Sequence, residues 1–147
     1  LLIGIKRSAM LIKAPMSVGE LVDKITILEI KQEKINDKQK LENINRELDL
    51  LTVEFDNINA SKLLPTTIEI VKFNTLKCDL KLVNKNLWDI EDAIRDCERC
   101  EEFGEKFVDF ARSVYYYNDE RSEIKRSINS LLGSCIVEEK SYTKYDG

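Results

Sequence analysis

The sequence has no histidine, only five glycines and two prolines, and no long apolar run. Each shortage excludes something. Gly plus Pro falls below half of the average share of roughly 12%. Turns are then too scarce for a sandwich or barrel, which needs one about every 8–12 residues. Without histidine there is no Ser-His-Asp triad, no Cys-His pair, no His-Glu-x-x-His zinc hydrolase, no Glu-x-x-His di-iron site and no histidine-ligated haem. Residues 1–5, Leu-Leu-Ile-Gly-Ile, are too short for a signal-peptide core or a membrane span, so no membrane partner is expected. A net charge of −4 over 147 residues provides no basic field, and Lys-rich 72–85 lacks interleaved aromatics. No nucleic-acid partner is expected.

What is present reads as one domain, long enough to bury roughly 70% of its unfolded surface. Met10 opens a coherent segment, Met-Leu-Ile-Lys-Ala-Pro. Residues 1–9 therefore read as a non-native or disordered extension and 10–147 as the domain. Four cysteines among polar helical stretches fit a reducing cytoplasm, which is the expected location.

Apolar spacing gives an all-α bundle of about four long, antiparallel, coiled-coil-like helices. Ser17-Val18-Gly19-Glu20 matches a capping box, with Leu21, Ile25 and Leu28 behind it and Val22, Ile27, Ile30 and Ile35 widening the stripe. That width predicts more than one neighbour. Asn36-Asp37 stops this helix and caps the next, or kinks a continuous one. Leu41, Ile44, Leu48, Leu51, Phe55 and Ile58 form a 3/4-spaced seam on the second helix. Asn59-Ala60-Ser61 and Pro65-Thr66 mark the clearest break. A third helix spans about Thr67 to Glu102, its seam running from Phe73 to Cys97. At 1.5 Å per residue it reaches about 50 Å, so it either outruns the bundle or breaks near Asn74-Thr75. Gly104 separates it from a fourth helix bearing Phe107, Phe110, Val114, Tyr117, Arg121, Ile124, Ile128 and Leu131, with Gly133 as its stop. Cys135-Ile136-Val137 is a candidate short strand against Leu11-Ile12.

The net charge conceals a dipole. Residues 62–85 carry +3, from five lysines against two acids, whereas residues 89–102 carry −5, from seven acids against two arginines. That order opposes the helix macrodipole. Pairing with the fourth helix is the expected offset, placing Arg112 beside Asp96 and Glu98 and Arg121 beside Trp88 and Glu91. A cation held by the acids is the alternative.

The most informative polar group lies on the fourth helix. Arg112, Tyr115, Asn118, Asp119, Arg121 and Lys125 alternate with its apolar seam, and Tyr115, Asn118, Ser122, Lys125 and Asn129 share one face. Arg121 occupies a seam position and needs a carboxylate, for which Asp23, Glu91 and Asp92 are the candidates. Two readings follow. One is an internal salt-bridge network. The other is an anion pocket in which Arg112, Arg121 and Lys125 bind phosphate or carboxylate, Tyr115 and Asn118 orient it, and Asp119 serves as acid or base. Cys97-Glu98-Arg99-Cys100 ends a helix instead of starting one after a strand, which argues against a redox pair. A Cys₄ zinc site lacks a second close pair, and neither a metal site nor a cofactor is expected. Glu20-x-x-Asp23 and Glu98-x-x-Glu101 have the acid spacing of all-α nucleotide pyrophosphohydrolases, but helices produce it constantly and capping already accounts for Glu20.

Ser17 to Lys31, Ser-Val-Gly-Glu-Leu-Val-Asp-Lys-Ile-Thr-Ile-Leu-Glu-Ile-Lys, resembles an uncharacterised protein family of bacteria and phages. Further matching stretches are Leu87-Trp88-x-Ile90-Glu91-Asp92-x-Ile94-Arg95, Phe107 to Tyr115, Asn118-Asp119-x-Arg121 and Glu138-Glu139-Lys140-Ser141-Tyr142. The resemblance covers nearly everything after Met10 and implies no activity. The sequence thus points to a self-associating assembly module, a dimer first, with no enzyme activity expected. The alternative is a binder or histidine-independent enzyme for a small anionic, phosphorylated or sugar-linked ligand.

Overall fold

The computed structural model describes residues 10–58, 63–64 and 66–145; residues 1–9 and the expected breaks at 59–61 and 65 lie outside them. Among the described residues four helices follow one another: α1, Val18–Lys34; α2, Lys38–Asn57; α3, Thr67–Arg99; and α4, Glu105–Leu132. Each starts where the chain supplies a side-chain acceptor or a glycine. The Ser17 hydroxyl accepts from the Glu20 amide at 3.1 Å, Asp37 accepts from the Lys40 amide at 2.8 Å, and Thr66 and Glu69 form a reciprocal capping box. At Ser17 the expected box is only half formed, because the Glu20 carboxylate is drawn to Lys125 on α4. Gly104 precedes α4, and Gly133 ends it in the left-handed region, φ 65°.

One alternative is decided and one expectation needs correction. α3 is unbroken over 33 residues; at Thr75 the hydroxyl bonds back to the Val71 carbonyl at 3.0 Å, so no chain break is required. No strand forms among the described residues, and Leu11-Ile12 does not pair with residues 135–137. The two segments are held by different helices. Lys13 bonds Glu54 on α2 at 2.9 Å, whereas Glu138 bonds Lys125 on α4 at 2.8 Å.

α1 is the central helix and packs on all three others, as its wide stripe implies. It buries Leu21, Val22, Ile25, Leu28 and Ile30, together with Asp23 and Thr26. α2 runs antiparallel to it (Gln32 to Asn45, 2.6 Å) and buries a single residue, Ile44. α4 also runs antiparallel to α1, and α3 lies alongside in the same direction as α1. Val22, Leu64, Phe73, Leu80, Ile128 and Leu132 form the main cluster, with Phe55 of α2 stacked on Phe73 at 5.6 Å. Each large side chain buried there contributes about 1.5–3 kcal/mol. Past the Lys34–Asp89 pair, 2.7 Å, α3 and α4 continue as a hairpin with Cys97 buried between them.

The charge dipole of α3 is answered by α1, not by α4. Lys77 and Lys81 reach Glu29 at 3.1 and 3.0 Å, and Lys81 and Lys85 both reach Glu33 at 2.9 Å. Between them Lys81 and Lys85 hold the Glu33 carboxyl down at about 2. Burial alone would raise Glu29, but Lys81 and Lys77 outweigh it and keep that carboxyl below its usual range. On the acidic end Asp89 takes Lys34, Glu91 takes Arg95 and Asp96 takes Arg99. Arg112 sits beside the Tyr115 and Tyr116 hydroxyls instead of Asp96 and Glu98.

Candidate functional site

Gly19, Glu20, Asp23 and Thr26 recur at three- and four-residue steps on one face of α1, and Arg121, Lys125 and Asn129 recur at four-residue steps on α4. Because the helices are antiparallel, the two series meet rung by rung: Gly19 with Asn129, Glu20 with Lys125, Asp23 with Arg121. Gly19 makes the approach close enough. A methyl group there would lie 2.5 Å from the Lys125 carbonyl oxygen and 2.9 Å from the Asn129 side-chain oxygen. That same oxygen accepts from the Gly19 amide at 2.6 Å and so satisfies a helix-start donor no neighbouring turn could reach.

The central rung is a buried charge pair. Asp23 has no exposed surface. One of its oxygens accepts from Arg121 Nε at 2.9 Å and from Asn84 Nδ2 of α3 at 2.8 Å, and the other accepts from Arg121 Nη2. Asn84 also donates to the Thr26 hydroxyl at 3.0 Å, which in turn donates to the Asp23 carbonyl at 2.8 Å. Three helices are thus tied at one carboxylate. The planar guanidinium meets it with two donors, the geometry that best offsets desolvation of a buried acid. Asp23 in turn raises Arg121 above the ordinary arginine range.

The outer rung is Lys125, bonded to Glu20 at 2.6 Å and to Glu138 of the C-terminal tail at 2.8 Å. Burial pushes the ammonium down, but the two carboxylates outweigh it and hold its pKa above normal. Lys125 likewise keeps Glu138 below the usual carboxylate range. Beside this rung lies a cavity of about 270 Å³, lined by Ser122, Lys125, Arg126, Asn129, Ser134 and Glu138 among others.

A family of unknown function, DUF6165, matches residues 12–145. The chain belongs to that family. No curated protein and no solved structure matches it. The DUF6165 match spans the whole polar ladder together with the tail that reaches Lys125.

Within this DUF6165 fold the candidate residues of α4 divide into separate groups. Arg121 and Lys125 face α1 and are paired there; of the three acids considered for Arg121, Asp23 takes it, while Glu91 is bound to Arg95 and Asp92 is exposed. Asn118 bonds its own helix, donating to the Val114 carbonyl at 2.9 Å. Asp119 accepts from the Tyr145 hydroxyl at 2.8 Å, and the Tyr145 ring packs on Tyr115 and Tyr116, each at 4.9 Å. Arg112 lies near the same tyrosines. Sequence reasoning missed Asn84, Thr26 and Glu138. Asn84 and Thr26 were legible as polar residues inside apolar stripes, whereas Glu138 stood out only within the family-like stretch 138–142, with no partner indicated. Cys97 is buried and Cys100 exposed, so the C-x-x-C thiols occupy different surroundings. Among the described residues no three acids or cysteines converge as a metal site, and no helix is long and apolar enough to cross a membrane.

Proposed function

We propose that this chain is a cytoplasmic assembly module that works by self-association, not by catalysis. The observation that carries the reading is where its unmet surface lies. Inside, no described buried side-chain polar atom is without a partner. Outside, Leu50 and Val53 on α2 and Ile68, Val71 and Leu82 on α3 are exposed. Apolar side chains left exposed at helical spacing on two helices are the kind of surface that another protein covers. Sedimentation equilibrium tests the reading: a concentration-dependent dimer is expected, and a monomer at high concentration rejects it.

A second reading, a site for a small phosphorylated or sugar-linked anion, is favoured by the cavity beside Lys125. Arg126 lines it and makes no ion pair among the described residues, and Ser122, Ser130 and Ser134 add hydroxyls. Arg112, Tyr115, Asn118 and Asp119 lie farther along α4, so the ligand contacts centre on Lys125 and Arg126 with Arg121 behind them. A thermal-shift screen with phosphate, nucleotides and sugar nucleotides should give a hit that Arg126→Ala abolishes. Arg121→Ala would be uninformative, because it removes the partner of buried Asp23.

A further inference from the structure

α3 carries two stripes, of which the bundle uses one. Phe73, Leu80 and Val83 face the core. At 100° per residue, Ile68, Val71, Thr75, Cys78 and Leu82 form a second stripe roughly 150° away, spaced 3, 4, 3, 4 over about 21 Å. All five are exposed: Ile68 by 80%, Val71 and Leu82 by 59% each. The Thr75 hydroxyl is satisfied by the Val71 carbonyl, so at mid-stripe it requires no water partner.

Two charges flank this stripe on the same side, Lys72 and Asp79. Neither makes an ion pair among the described residues. Seven residues apart, they stand about 10 Å from each other along the helix and cannot pair internally. They are self-complementary about a point beside Thr75. We infer that the α3 stripe mates with the α3 stripe of a second copy, antiparallel about a two-fold axis beside Thr75. Lys72 of each copy then meets Asp79 of the other, and Ile68 lies toward Leu82 of the other. This is an isologous contact, in which one patch satisfies itself. A parallel pairing, about a two-fold along the helices, would instead set Lys72 and Asp79 of the two copies on opposite flanks of the seam and leave both charges unpaired.

The inference rests on the self-association reading, and the tests separate the two. Wild-type chain that sediments as a monomer overturns both. Val71→Glu, at an exposed position, should leave melting unchanged and abolish the dimer; a dimer that persists overturns the α3 interface alone. Lys72→Asp places two like-charge pairs across the two-fold and should weaken association by roughly tenfold at low salt. Adding Asp79→Lys to it should restore wild-type association, and failure of that rescue rejects the pairing. Orientation is read by oxidation in a chain carrying Cys100→Ser and Cys135→Ser. Across the axis the two copies of Cys78 are offset by about 7.5–9 Å along the helices, beyond disulfide reach. They should stay unlinked, while Thr75→Cys with Cys78→Ser should crosslink. A Cys78–Cys78 link would establish the parallel arrangement and overturn the proposal.

Discussion

Asp23 and Arg121 lie 98 residues apart in sequence, yet the fully buried carboxylate receives two guanidinium nitrogens. The pair fixes the register of the first helix against the last. A shift by one turn on either helix would leave Asp23 charged and unpaired in the core.

Arg121→Ala should therefore destabilise the fold by about 3–5 kcal/mol, the usual result of stripping one partner from a buried ion pair. Adding Asp23→Asn removes the stranded charge and should recover part of that loss, giving strong non-additivity in a double-mutant cycle. Urea unfolding of the four proteins measures it, and additive losses would contradict the pairing.

Gly19→Ala should cost about 1–3 kcal/mol, because its methyl group meets the Lys125 backbone, which cannot rotate away. Gly104→Ala is the control. Nothing lies within 4 Å of that position, and its φ of −80° suits any residue. Thermal melts should separate the two variants clearly, and equal melting temperatures would refute the close approach.

Acid should weaken the α1–α3 contact. The Glu33 carboxyl is held down at about 2 when folded and returns to the ordinary 4.5 when unfolded. Between those values the unfolded chain binds the proton and the folded chain does not. This contribution is complete above about pH 4.5 and is lost as the pH falls toward 2. Glu29 and Glu138 shift in the same direction. Replacing Glu29 and Glu33 by Gln should flatten the acid limb of the melting curve. Because Glu33 is exposed, salt should flatten it too. An unchanged slope in the double variant would show that other groups set it.

Thiol chemistry should be three to one. Cys78, Cys100 and Cys135 are exposed, whereas Cys97 is sealed between α3 and α4. In dilute monomer a thiol-reactive dye in native buffer should label three sites quickly and the fourth only on unfolding, and Cys78 should slow as the chain dimerises. Rapid labelling of all four would mean that the α3–α4 hairpin opens readily.

Much of this was legible in the sequence, for identifiable reasons. Helix starts at Ser17, Asp37 and Thr66 follow from side chains that reach their own backbone, and the stop at Gly133 from the one residue type at ease with φ 65°. The centrality of α1 was written in its over-wide stripe, and Arg121 on a seam position announced a buried acid. Partner choice across space was less accessible. The lysines of α3 had acids within reach on either side of the helix, and only the packed arrangement assigns them to Glu29 and Glu33. Glu20 satisfied the local rule for a capping box, yet a cation 105 positions away is the better partner because it is half desolvated. The strand expected at residues 135–137 failed for a related reason: one long-range charge contact, Glu138 to Lys125, redirected the tail along α4.

The ladder between α1 and α4 also sets an order of events during synthesis. The most central helix is made first, but its buried acid and its opening amide are answered only by residues 121 and 129. Until those leave the ribosome, α1 can pair with α2 and then α3, but burying Asp23 would strand a charge. Contacts this distant in sequence carry a loop-closure cost that local helix pairing does not. The buried contacts of α1 are thus complete only once the helix that carries Arg121 and Asn129 has docked.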